Sequence, residues 1–325
     1  MSERVDNLTK WLASELKIDN PQVIAITNDA SFRRYFRITI DGVPHIVMDA
    51  PPSKENCRPF INIAERLKTI GLNVPHIIAS DLDQGFLLLT DLGSELYLPA
   101  LNEQRVDQLY GDALETLAHM QIHANSDDLP LYDRQLLHKE MNLFIDWLLN
   151  KHLNLVLSDT EHKELENCFD LLSGCALSQA QVFVHRDYHS RNLMICNSKS
   201  PGILDFQDAV KGPITYDVVS LLKDCYITWS NDQITAWAIQ HYTRLQQNGL
   251  LNDIDEKEFL RWFNWMGIQR HLKASGIFAR LYHRDGKSGY LKDIPRTVNY
   301  IVNISAEYPE LAALHKLTKA ITMKL

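Results

Sequence analysis

Apolar positions change their spacing once along the chain, near Gly93, and the two spacings predict two kinds of structure. Residues 22–27 (QVIAIT), 34–40 (RYFRITI) and 44–49 (PHIVMD) are short β-branched runs, with Asp41 and Gly42 as a turn between the last two. They predict an antiparallel meander. The stretch PFINIAERLKTIGL then spaces Ile61, Ala64 and Leu67, with Ile63 and Ile70, at helical intervals, and Gly71 offers a C-terminal stop. VPHIIASD and GFLLLTDLG predict two more strands, so a small sheet with one helix is expected by residue 92. Beyond Gly93, RVDQLYGDALETLAHMQIH carries Val106, Leu109, Ala113, Leu117 and Met120 along one face, and RQLLHKEMNLFIDWLLNKHL repeats the pattern. This second part is expected to be mainly helical, interrupted by QVFV at 181–184, LMIC at 193–196 and GILDF at 202–206. Helices resume at YDVVSLLKDCYITW. The expected class is α+β, with a β-rich part over residues 1–92, led by a helix, and a helical part over 93–325.

Bulk properties narrow the possible functions. With 325 residues, 23% charged and 45% hydrophobic, the chain can bury a core without disulfide or structural metal. Its formal net charge of −8 argues against a general nucleic-acid binder, which needs surplus Lys and Arg. Cys57, Cys168, Cys175, Cys196 and Cys225 are scattered without the close pairs of zinc or redox sites, and read as reduced thiols of a cytoplasmic protein. The opening MSERVDNLTKWLASELKI lacks the apolar core of a signal peptide, and no run of about 18 apolar residues occurs. Neither membrane insertion nor an obligate protein partner is expected.

Chemistry concentrates in HRDYHSRN at 185–192, set between VFV and LMI. If the flanking runs are the two strands of a hairpin and another strand ends at Asp205, then Asp187, Asn192 and Asp205 come toward one end of a small sheet. Phosphoryl transfer needs such a set: one carboxylate to orient the attacking hydroxyl and accept its proton, and hard oxygen ligands to hold Mg²⁺ against a triphosphate. Asp187 suits the base, and Asn192 with Asp205 suits the metal.

HRDYHSRN also satisfies the kinase catalytic-loop pattern of H-R-D with Asn five residues after the Asp, and DFQ at 205–207 stands where kinases carry DFG. The chain resembles the aminoglycoside phosphotransferase and choline kinase superfamily over nearly its whole length. That resemblance implies a protein-kinase-like fold of two lobes, with a nucleotide-binding N-lobe and a C-lobe holding the catalytic loop, metal site and acceptor pocket. HRDYHSRNLM with GILDFQDAVKGPITYDVVSLLKDCYITW is most similar to kinases acting on the anomeric hydroxyl of N-acetylmuramate and N-acetylglucosamine. It implies ATP and Mg²⁺ as cofactors and a small sugar acceptor. Aminoglycoside, choline-like and other hydroxyl acceptors remain open, as does a nucleotide-binding regulator without catalysis. The resemblance further implies that His185 fastens the loop to the metal strand, and that Asp217 accepts hydrogen bonds from loop amides. Capping of the following helix, with Thr215 as competitor, is the plainer reading of Asp217. His189, Arg191 and Asp208 fall where acceptors are met, although Arg191 and Asp208 are equally readable as solvated.

The nucleotide end departs from the kinase pattern. NDASFRRYF at 28–36 has no glycine, so Ser31 with Arg33 and Arg34 is the expected phosphate contact, and Leu89 and Asp91 in LLLTDLG the linking-segment contact. The third strand offers Met48 or Asp49 where kinases carry Lys, and Asn62 falls where its Glu partner would be, with Glu65 nearby. Eleven residues separate Asp205 from Asp217, too few for a long activation loop, which favours a small acceptor. FLRWFNWMGIQRHLKASGIFARLYHRDG is the expected acceptor region, with Trp265 as a stacking platform and Arg270 as a cation among its candidates. It holds no carboxylate before Asp285, which disfavours polycationic aminoglycosides.

Overall fold

The computed structural model describes residues 3–17, 19, 21–26, 32–197 and 199–325. Contacts divide the chain into two compact units, residues 1–99 with 192–208 and residues 100–191 with 209–325. The first unit therefore runs a few residues past the expected boundary at 92, and it also takes a later segment that includes Asn192 and Asp205.

In the first unit, helix α1 (Glu3–Leu16) buries Leu8 and Leu12 in a cluster with Phe36, Ile38, Val47 and Leu88. Strands β1 (Ile24–Ala25), β2 (Arg34–Ile40), β3 (Val43–Asp49), β4 (Ile77–Asp81) and β5 (Phe86–Thr90) form one antiparallel sheet in the order β1-β2-β3-β5-β4. The unbroken apolar run of β5 has its reason here, because Phe86 to Leu89 are all buried and a strand covered on both faces has no polar side. Helix α2 (Arg58–Thr69) lies between β3 and β4 in sequence and buries Phe60, Ile63, Ala64 and Leu67. Gly85, in the turn just before β5, stands at φ 74°, and a Cβ there would lie 1.9 Å from the Ala50 carbonyl oxygen. Only glycine fits.

LMIC and GILDF contribute two residues each to a ribbon, Leu193–Met194 against Gly202–Ile203. Ile195 N–H donates to Glu95 O and Ile203 N–H to Asn73 O, both at 2.8 Å, fixing the ribbon to the rest of its unit.

The second unit contains α3 (Val106–His123), α4 (Arg134–Leu143), α5 (Asp159–Ser178), β6 (Gln181–Val184), β7 (Val210–Pro213), α6 (Tyr216–Leu222), α7 (Asn231–Gln247), α8 (Glu256–Asp285), α9 (Ile294–Ser305) and α10 (Ala312–Thr322). All five residues expected on the inner face of α3 are buried. Ser158 and Glu161 close a capping box at the start of α5, as do Ser230 and Gln233 at α7. Helix α4 widens after Leu143 into a π-helical stretch, Phe144–His152. At that point α8 presses against it, and a Cβ on Gly276 would meet the Leu143 carbonyl carbon at 2.2 Å.

Two expectations are corrected. The strands flanking HRDYHSRN do not pair with each other, since β6 pairs with β7 and Leu193–Met194 with Gly202–Ile203. The VKGP sequence of β7 hid its partner, because glycine and proline read as loop. The helix predicted through YDVVSLLKDCYITW stops at Leu222, where Lys223 leaves helical geometry at φ −109°, ψ 45°. Among the described residues no helix is long and apolar enough to cross a membrane.

Candidate active site

Residues expected to act are divided between the units. In the second unit, the loop after β6 is held at both ends by buried carboxylates. Asp217, in the first turn of α6, accepts the His185 N–H at 2.7 Å and the Arg186 N–H at 3.0 Å. Arg186 stands at φ 77°, a left-handed conformation costly for a side chain with a Cβ, and these bonds help impose it. At the far end Asp224 accepts the Ser190 N–H at 3.1 Å and the Ser190 hydroxyl, while its other oxygen takes the Tyr226 N–H at 3.0 Å. Tyr188 is buried between them and donates to Ala113 O at 2.8 Å. Burial pushes the Asp217 carboxyl up to about 7, against the lowering influence of those two N–H bonds.

Asp187 then faces a cavity that Tyr216, Asp224, Arg270 and Lys273 also line. Burial pushes the Asp187 carboxyl upward, but the cations Lys273, Arg270 and Arg186 outweigh it and hold the group below the usual carboxylate range. Asp187 is ionised at neutral pH. Burial keeps the His189 imidazole below its ordinary value, so it is neutral beside it. Lys273 Nζ donates to Tyr216 Oη at 2.8 Å and pairs with Glu140 Oε1 at 3.0 Å. Glu140 is itself buried and also receives Arg186 Nη2 at 2.6 Å and the Tyr132 hydroxyl. Arg270 is different. It is 6% exposed, and its Nε has no hydrogen-bond partner. Its Nη1 donates to Cys225 Sγ at 4.0 Å.

In the first unit, Leu204 N–H donates to Asn192 O at 2.9 Å, so Asn192 and Asp205 lie at one end of the two-residue ribbon. Asp205 also has a positive φ, 61°, and its Oδ1 receives Gln207 Nε2 at 2.8 Å. Arg33 Nη2 donates to Glu55 Oε2 at 3.1 Å, and its Nη1 lies 3.9 Å from Asp205 Oδ1. Arg34 instead pairs with Asp49, which Arg4 Nε grips from the other oxygen at 2.8 Å. Arg37 binds Asp91 and the Gly93 carbonyl.

A model of the phosphotransferase enzyme family matches residues 22–251. The N-acetylmuramate/N-acetylglucosamine kinase of Pseudomonas putida is 41% identical over 324 residues, covering 97% of this chain and 95% of its own. That of Pseudomonas aeruginosa is 42% identical over 328 residues, covering 98% and 97%. The chain belongs to the phosphotransferase enzyme family. Its fold is the kinase-like one of that family, an antiparallel five-stranded sheet followed by a mainly helical region. The GDP complex of aminoglycoside 2'-phosphotransferase-IIIa matches it at a TM-score of 0.63 and 14% identity, covering 93% of this chain and 99% of its own. Choline kinase LicA from Streptococcus pneumoniae gives 0.63 and 11%, covering 93% and 100%.

In this phosphotransferase, Asp187, His189 and Arg270 meet around one cavity. Trp265 does not join them. It is 3% exposed within the helical core, five positions before Arg270 on α8, and about 100° per residue turns it roughly 140° away. Arg191 stacks on the Tyr226 ring at 3.6 Å and is not in the cavity wall, while Asp208 is an exposed acceptor of Gln207 Nε2. Leu89 is buried in β5, and the Asp91 carboxylate is taken by Arg37. Ser31 lies outside the described residues. Sequence reasoning missed Asp224, Glu140 and Tyr216, and did not single out Lys273. One signal was present: Arg270, Lys273, Ala274 and Ile277 follow i, i+3, i+4, i+7 spacing, and all four line the cavity.

Proposed function

We propose that this phosphotransferase is an N-acetylmuramate/N-acetylglucosamine kinase that transfers the γ-phosphoryl group of ATP to the anomeric hydroxyl of the sugar. Near-full-length identity to kinases of that name supports the acceptor class. The observation that carries the chemistry is Asp187, held ionised at the wall of a cavity it shares with Arg270 and Lys273.

Asp187 would accept a hydrogen bond from the attacking hydroxyl and point its oxygen at the phosphorus. A hemiacetal hydroxyl is more acidic than an ordinary alcohol, so Asp187 need accept the proton only late, and positioning carries most of the acceleration. Asp217 and Asp224 serve this by fixing the loop on either side of Asp187. His185 contributes structurally, its Nδ1 accepting the Asp187 N–H at 3.2 Å. Arg270 and Lys273 suit a neutral or acidic sugar better than a polycation. The nucleotide is read as contacting Arg33, the Leu89–Asp91 segment and Ser31; Arg34 is committed to Asp49. A cytoplasmic setting, with ATP at hand, fits five free cysteines.

Asn192 and Asp205 are hard oxygen donors at one ribbon end, and that donor set fits Mg²⁺. Among the described residues no group of three or more His, Cys, Asp or Glu would hold a metal, and Mg²⁺ needs no such cage because it keeps waters and takes phosphate oxygens. When bound, it would neutralise charge on the transferring phosphoryl group.

The test is ADP release measured across N-acetylmuramate, N-acetylglucosamine, an aminoglycoside and choline, with phosphorus NMR of the product. Phosphate on the anomeric carbon of the amino sugars is expected. Turnover of choline or the aminoglycoside alone, or phosphate on another oxygen, would overturn the reading.

A further inference from the structure

We infer that Arg33 grips the nucleotide phosphates and that Glu55 aims it, the two replacing the third-strand lysine and helical glutamate of kinases. The inference rests on the reading of the chain as an ATP-dependent kinase. In kinases that pair must be in place for transfer, because the lysine neutralises α and β phosphates and the glutamate aims it. This chain has no lysine on β3. The candidates for its position, Met48 and Asp49, are both fully buried. Asp49 reverses the charge, and the fold neutralises it from both sides with Arg4 and Arg34. Neither arginine is then available to a phosphate without leaving a buried carboxylate short of a partner.

The helical glutamate is missing as well. On α2, Asn62 stands at its expected place, and Glu65 is exposed and paired 3.6 Å from Lys68. Arg37, the remaining cation of β2, is bound to Asp91.

Arg33 alone among these arginines approaches the expected metal carboxylate. Its side chain is 11% exposed and that of Glu55 15%, so the pair is largely removed from water. Glu55 lies just before α2 rather than in it, and Arg33 just before β2, so both partners have moved from regular elements to adjoining segments. The geometry keeps the functional relation while changing the residues. One guanidinium nitrogen is fixed by Glu55 at 3.1 Å, and another lies 3.9 Å from Asp205, beyond hydrogen-bond length. A phosphate oxygen arriving beside Asp205 would find that nitrogen already oriented. Arginine's planar fork also supplies two donors to a phosphate where lysine supplies a point charge. Glu55 is a positioning residue that acts through Arg33.

The test is calorimetric titration of ADP with Mg²⁺ into the full-length chain, wild type against Arg33→Met, Glu55→Gln and the double variant. Arg33→Met is expected to weaken ADP about tenfold to a hundredfold, as loss of a charge-assisted contact does. Glu55→Gln should weaken it less, and the double variant should bind no worse than Arg33→Met, since the glutamate acts through the arginine. Arg33→Lys should recover part of the affinity. In steady state the KM for ATP should rise while the KM for sugar holds. ADP affinity within twofold of wild type in a folded Arg33→Met, or additive losses in the double variant, would overturn the inference. Should Arg33→Met melt below the assay temperature, Glu55→Gln and Arg33→Lys decide, and wild-type affinity in both has the same meaning. ADP binding needs no sugar. A chain that binds ADP through Arg33 but phosphorylates neither amino sugar would overturn the proposed function and leave this pair standing.

Discussion

The carboxylate of Asp217 accepts the backbone N–H of Arg186 at 3.0 Å, and Arg186 is the residue of the catalytic-loop sequence held at φ 77°. An acid at the base of α6 thus helps set the turn from which Asp187 projects. Asparagine has one acceptor oxygen and presents an NH₂ where the other N–H arrives, so Asp217→Asn should displace the loop and lower kcat by about a hundredfold. Stability should behave otherwise. Burial raises the folded carboxyl from 3.8 to about 7, so the folded state binds this proton more tightly than the unfolded chain does. The stabilisation is complete below about pH 4 and is lost as pH rises through about 7. Relative to Asp217→Asn, wild type should lose on the order of a few kcal/mol across that window and level off above it. Thermal melts of both proteins at several pH values check the sign; a difference independent of pH would remove Asp217 as the titrating group.

Asp187 has the opposite shift and predicts a different profile. Its carboxyl lies below 3.8 in the folded protein because nearby cations outweigh burial. Its ionisation contributes stability above the unfolded value, lost only as pH falls through the lower folded one. No inflection from Asp187 should therefore appear in kcat/KM between pH 5 and 9, on the order expected for a carboxylate titrating below about 4. Asp187→Asn should cost about a thousandfold in turnover. Coupled ADP release, with a melt showing the fold intact, measures this, and near-normal turnover would rule Asp187 out as base.

These assignments were legible to different depths. β2 was predicted at its observed bounds, because its β-branched run ends at a clear Asp41–Gly42 turn. The placement of Asp187 in one loop and of Asn192 and Asp205 at one ribbon end was legible because the spacing is local. What stayed hidden depends on contacts distant in sequence. Glu140 reaches Arg186 from 46 residues upstream, and Arg4 reaches Asp49 across 45. Neither pairing leaves a local signature. Asp224 was hidden for another reason: apolar periodicity ran on past Leu222, and nothing in the spacing announced that α6 would stop and turn this carboxylate toward Ser190.

Two glycines on helices should respond oppositely to one substitution. A Cβ on Gly276 would sit 2.2 Å from the Leu143 carbonyl carbon, where α4 widens, whereas one on Gly174 of α5 would meet nothing within 4 Å. Gly276→Ala must push two packed backbones apart and should cost about 3 kcal/mol. Gly174→Ala should gain roughly 0.5–1 kcal/mol from helix propensity. Urea unfolding of both resolves the pair, and equal responses would mean that α8 and α4 do not pack as closely as described.

Arg270 predicts how the two sugars are told apart. Both present an anomeric hydroxyl, but N-acetylmuramate adds a lactyl carboxylate. Lys273 already has Glu140 as counter-ion at 3.0 Å, whereas Arg270 has no ion pair with a carboxylate among the described residues and its Nε is unpartnered. Asp187 and Asp224 stabilise its charge through space, and the unpartnered Nε leaves a donor that a ligand carboxylate can take. Arg270 lies on the same cavity-lining face of α8 as Lys273. Arg270→Gln should therefore reduce kcat/KM for N-acetylmuramate by about tenfold or more, the loss of one charge-assisted contact, and that for N-acetylglucosamine much less. Arg270→Lys should fall between. Parallel kcat/KM measurements on the two sugars provide the ratio. Equal losses on both would instead mean that Arg270 acts by keeping Asp187 ionised, and then the rate of the Gln variant should acquire an acid limb at higher pH than wild type.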